Sequence, residues 1–205
     1  MTISRLPNDY DALEAQLREV YGRIVYTHKT HEKMADLITS RHNTTQWIQT
    51  ILSGLTTTSL LVVIFGSSRT GAVIAVLLST LLFMVNLYLQ NSDLGRRAER
   101  HTEVAAVLWG IRESYLTLIT DLLTPAPNID YIKSERDRLQ GISERVFRNA
   151  PRTNAKAYGL ARNALKNNEE LTFGEDELDL LLPEELRKGK RRRKSSNGNS
   201  EQLDR

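Results

Sequence analysis

The sequence predicts an all-α protein: a two-helix transmembrane hairpin carrying a cytoplasmic helical bundle. Three observations carry that expectation. From Thr44 to Ser92 the only formal charge is Arg69. Two runs of 19 residues, WIQTILSGLTTTSLLVVIF (47–65) and GAVIAVLLSTLLFMVNLYL (71–89), flank that arginine, and about 20 helical residues cross a bilayer core of roughly 30 Å. Outside the runs, apolar residues recur at three, four or seven positions, and no segment alternates as a strand would.

The first segment, 8–46, reads as one long amphipathic helix on the cytoplasmic side. Tyr10, Leu13, Leu17, Val20, Ile24, His31, Ala35 and Ile38 form an apolar stripe with charges opposite. Asn8 or Asp9 is placed to cap it after Pro7. Nothing between Ile38 and Trp47 breaks a helix, so it can run straight into the first span.

The hairpin occupies 47–89. Its second leg is the stronger, with 15 of 19 residues apolar against 11 of 19 in the first. Read alone, the first leg also fits a core helix of a soluble bundle, but neither leg has the charged face such a helix carries. The turn between them, 66–70, lies in FGSSRTG (65–71). Gly66 and Gly71 have the spacing of a phosphate-binding loop, yet Ala72 and Val73 follow where Lys and Ser or Thr would reach phosphates and magnesium. The stretch therefore reads as an exterior turn. Lys29, Lys33 and Arg41 precede the hairpin and Arg96, Arg97 and Arg100 follow it, whereas the turn offers Arg69 alone. The positive-inside bias predicts both termini in the cytoplasm.

Residues 90–186 read as further cytoplasmic helices. Val104, Leu108, Ile111, Tyr115, Leu118 and Leu122 mark one, ended by PAP (125–127). Asn128 is placed to cap the next (129–147), lined by Ile132, Leu139, Ile142 and Val146 and ended before Pro151. A short helix over 153–166 and an acidic amphipathic stretch, 175–186, complete the set.

Residues 187–205 form a basic, low-complexity tail predicted to be disordered. The formal charge of +3 is misleading, because 1–186 hold 20 Lys+Arg against 23 Asp+Glu. Lys188, Lys190, Arg191, Arg192, Arg193 and Lys194 carry the basicity. Anionic lipid is the expected contact for a segment beside a membrane. A localisation signal and nucleic acid are the other readings, and the tail lacks the interleaved aromatics of a nucleic-acid binder.

Little here suggests catalysis. The chain has no cysteine, which removes thiol nucleophiles and thiolate metal sites. His28 and His31 in THKTHEK (27–33) have a metal-compatible spacing but no second ligand pair. Carboxylates such as Glu113, Glu169 and Glu170 lack an acid–base partner, and no nucleophile elbow is present. The expectation is a non-enzyme without cofactor.

The informative polar residues stand inside the spans: Gln49, Ser53, Thr56 and Thr57 in the first, Ser79, Asn86 and Gln90 in and after the second. In the second leg Ala72, Ala75, Ser79, Asn86 and Gln90 fall on one face of a helical wheel, with Leu77, Leu78, Leu81 and Val85 expected elsewhere. Two readings stand. Hydroxyl and small residues favour close helix packing, while an amide in a span needs a partner or water. The second reading makes the stripe a pore lining, and two helices enclose no channel, so it requires a homo-oligomer.

Several segments in order resemble one family: YTHKTHEKMAD (26–36), NLYLQNSDLG (86–95), LWGIRESYLTLITDL (108–122), RDRLQ (136–140), APRTNAKAYGLARNALKNNEELTF (150–173) and LLPEELR (181–187). The chain is similar over residues 10–187 to the SLATT group, two-transmembrane effector domains associated with bacterial nucleotide-signalling and other conflict systems. The resemblance implies a membrane effector of a defence system that oligomerises and forms a pore or perturbs the membrane, triggered by a sensor protein or a signalling nucleotide. It carries no catalytic residues over. The alternative is a non-conducting membrane-anchored scaffold that recruits a signalling partner.

Overall fold

A computed structural model describes residues 9–66, 69–167, 177–178 and 181. The acidic amphipathic stretch, 175–186, lies outside these save for residues 177–178 and 181, and the basic tail lies wholly outside them. Five helices run in order: α1 (Asp9–Gly66), α2 (Arg69–Ser92), α3 (Leu94–Leu122), α4 (Ile129–Asn149) and α5 (Ala155–Lys166). Among the described residues there is no strand. By its contacts the chain divides into two units, Met1–Arg162 and Asn163–Arg205; everything below concerns the first.

The N-terminal segment and the first span are a single helix of 58 residues, roughly 87 Å long at 1.5 Å per residue. No proline falls inside it. The hydroxyls that interrupt its apolar run turn back on its own backbone: Thr50, Thr56, Thr57, Thr58 and Ser59 each donate to the carbonyl four residues earlier, at 2.8 to 3.0 Å. That arrangement hides the hydroxyl protons from an apolar solvent without breaking the helix. Arg69, expected in the turn, is the first residue of α2, so the helices extend to within residues 67–68 of each other.

The exit from the hairpin is a single residue. Asp93 sits in the left-handed region (φ 40°, ψ 48°) between α2 and α3, the one non-glycine residue with positive φ among those described. Its carbonyl still accepts from the Arg97 amide at 3.1 Å, so one residue interrupts the helix and α3 continues antiparallel to α1, along its first half.

Two apolar clusters join this stem. Leu13, Leu17 and Ile24 of α1 meet Leu108, Ile111, Tyr115, Leu118 and Leu122 of α3, with Ile132 and Leu139 of α4. Nearer the hairpin, Met34 and Ile38 meet Leu94, Ala98 and Ala157 of α5. Every position of the stripes expected for α1, α3 and α4 is buried or half-buried. Fully enclosed leucines such as Leu17, Leu108 and Leu122 stabilise the stem by about 1.5–3 kcal/mol each. At the far end the Tyr10 hydroxyl donates to the Leu122 carbonyl at 2.6 Å. Proline ends α3 and α4 as anticipated, and Asn128 and Asn154 cap the helices that follow by accepting from Tyr131 N–H (3.0 Å) and Ala157 N–H (2.8 Å).

Candidate functional site

The spans are where sequence concentrates its unusual chemistry, and their exposure defines them. Only 6 % of the most apolar window of each is buried. A core helix of a soluble bundle would bury such a window, so the soluble reading fails, and the exposed Ile51, Leu55, Phe65, Leu77, Leu81 and Met84 are apolar surface suited to lipid.

α1 and α2 meet along a narrow seam. On α1 the more enclosed positions are His42, Thr45, Gln49, Leu52, Thr56, Ser59 and Val63, alternating three and four apart. On α2 they are Gly71, Ala72, Ala75, Leu78, Leu82, Val85, Leu89 and Ser92. Leu52 and Ala75 are the most enclosed, 8 % and 4 % exposed. On α2 the packed face runs through Ala75, Leu78 and Val85, whereas Ser79, Asn86 and Gln90 are exposed. Close helix contact selects the positions that interdigitate, and alanine with branched residues fills this seam.

The candidate polar residues therefore separate. Gln49 and Thr56 lie at the seam, half-buried; Ser53 and Thr57 are exposed. At 100° per residue, Gln46, Thr50, Ser53 and Thr57 stand about 75–135° ahead of the α1 seam, and Ser79, Asn86 and Gln90 about 60–100° ahead of the α2 seam. In antiparallel helices, "ahead" points to the same side of the pair. The hairpin thus has one polar flank, built from both helices.

The opposite flank is apolar: Ile48, Ile51, Leu55 and Val62 from α1, Ile74, Leu77, Leu81 and Tyr88 from α2, all exposed. One contact checks the assignment. Arg41 and Tyr88 both fall behind their seams, and the Arg41 guanidinium carbon lies 5.4 Å from the Tyr88 ring centroid. The polar flank also has a depth. Thr57 and Ser79 fall near the middles of their spans; nearer the turn the same side carries Leu60, Ile64 and Val76.

Below the hairpin the stem holds a buried basic cluster that the sequence did not assemble. His28, Lys29, His31, His101 and Arg112 are each 8 % exposed or less. His31 Nδ1 meets His101 Nδ1 at 2.9 Å, so one ring donates and the other accepts. Burial, then the neighbouring His101 and His28, push the His31 pKa down to about 4. Burial and Arg97 lower His101. Burial also lowers His28, against the pull of Glu32, whose carboxylate is 3.6 Å from its Nε2. Arg112 stacks on Trp109 at 4.4 Å. The two histidines of THKTHEK thus take different partners, and among the described residues no three His, Asp or Glu side chains converge as metal ligands. The signal for His101 was weak, because its setting, RRAERHTE (96–103), reads as a solvated face.

The basic residues proposed for lipid contact, Lys188 to Lys194, lie outside the described residues. A family model, described as SMODS and SLOG-associating 2TM effector domain family 4, matches residues 13–177. No curated protein and no solved structure matches the chain.

Proposed function

The chain belongs to the family of SMODS and SLOG-associating 2TM effector domains, family 4, and on that premise we propose that it is the membrane effector of a bacterial defence or conflict system whose hairpins assemble into a pore. The observation that carries this reading is the two-sided hairpin. Ile48, Leu55, Ile74 and Leu81 suit lipid, while Asn86 makes no side-chain hydrogen bond among the described residues and is exposed. An amide in hydrocarbon requires a partner or water, and a ring of copies with polar flanks inward supplies both.

In such a ring the polar half, Gln46 to Thr57 with Ser79 to Gln90, forms a vestibule. Leu60, Ile64 and Val76 form an apolar constriction toward the turn, of the kind that closes a pore by dewetting. The basic residues beside the stem favour a cytoplasmic vestibule and cytoplasmic termini. The stem receives the trigger, a sensor protein or a signalling nucleotide, and no step is catalytic.

Membrane potential, read with a voltage-sensitive dye in bacteria expressing the chain, tests this, with insertion checked by carbonate extraction. Triggered wild type depolarises the cells and Asn86→Leu inserts without depolarising them. Normal insertion with an unchanged potential, trigger present, would replace the pore with the non-conducting scaffold.

A further inference from the structure

Away from the hairpin, a mainly apolar hollow lies between α1 and α4, about 990 Å³ in volume. That size is at the upper end of ordinary small-molecule sites. Its walls are aromatic. Tyr26 and Tyr158 stand with ring centroids 6.2 Å apart, Phe147 joins them from α4, and Tyr115 forms part of the lining from α3. The Tyr115 side chain is fully enclosed and its hydroxyl has no partner. At the rim are two guanidinium groups, Arg23 and Arg148, with Glu144 the one carboxylate. Both arginines are largely exposed and hold only local pairs, Arg23 to Glu19 at 3.8 Å and Arg148 to Glu144.

Gly22 widens the hollow on the α1 side. It lies within the long α1, where glycine weakens a helix relative to alanine. No backbone need explains it, since none of the described glycines has positive φ. A Cβ built there meets nothing within 4 Å, and the residue lines the groove. Any larger side chain would occupy the space.

We propose that this groove binds a small amphiphile with a flat aromatic body and an anionic head. The body lies between Tyr26, Phe147 and Tyr158, and the head meets Arg23 and Arg148 at the rim. Because α1 is unbroken from Gly22 to the first span, a ligand seated there bears on the same helix that enters the membrane. The proposal stands independently of pore formation.

Saturation-transfer NMR on the full chain in lipid nanodiscs tests it, with 2-naphthoate as probe and 2-naphthylmethylamine as its cationic counterpart. Wild type binds naphthoate above the level of empty discs and prefers it to the amine. Gly22→Leu, which fills the groove, weakens binding at least tenfold while the helical circular dichroism is kept. Arg148→Glu, an exposed change that spares the fold, weakens naphthoate binding and improves that of the amine. No signal above empty discs overturns the proposal. So does naphthoate binding left intact by both variants, or an amine bound as well as the acid.

Discussion

Nδ1 of His31 lies 2.9 Å from Nδ1 of His101, across the interface of α1 and α3 and 70 residues along the chain. The pair has no room for two charges, since two imidazolium rings at this distance would repel and neither could accept. The unfolded chain takes up protons near pH 6.5, whereas folded His31 resists until about pH 4. Its contribution is therefore complete above pH 6.5 and lost as the pH falls from there toward 4. Stem stability in detergent, followed by circular dichroism, is expected to drop by about 1–3 kcal/mol over that window. Replacing both histidines with leucine should flatten the slope.

Asp93 pays a backbone cost to end the hairpin, since a left-handed residue other than glycine costs about 1–2 kcal/mol. Asp93→Gly should keep the break and raise the melting temperature. Asp93→Val, β-branched, should lower stability by about 1–2 kcal/mol. Thermal melts of both variants decide this, and a stabilised valine variant would mean that the break is not required.

The absence of cysteine makes the hairpin faces directly readable by cross-linking. A single cysteine at Asn86 should give dimers in oxidised membranes, and one at Leu81, on the apolar flank, should not. The reverse result would place lipid on the polar side and overturn the inward-facing arrangement.

The Asn128 cap offers a local check. Its side chain accepts from the Tyr131 amide at 3.0 Å, and Asn128→Ala should cost about 1 kcal/mol. Hydrogen exchange at the start of α4 should accelerate, while the spans stay unaffected.

The stem was readable from sequence because its stripe obeys one period: each residue from Tyr10 to Ile38 named for the apolar face is buried or half-buried. The hairpin was readable from missing charge. The wheel of α2 was less so. A sequence fixes angles between residues on one helix, but which angle meets the neighbour depends on packing, and Leu78 and Val85 took that place. The break at Asp93 leaves no periodic trace, since aspartate is common on helix surfaces. The His31–His101 contact and the aromatic groove join residues far apart in sequence, which no local pattern encodes.

The unbroken α1 has one more consequence: its two ends are locked in rotational phase. A helix turns 100° per residue, so inserting one residue between His31 and Gln49 would swing the hairpin half of α1 by about 100° relative to the stem and present its apolar flank where the seam now lies. Seven inserted residues would restore the phase to within about 20° while lifting the span by roughly 10 Å. The segment between the buried histidine and the membrane is therefore a shaft whose length is set modulo a heptad, and a twist imposed at one end must appear at the other.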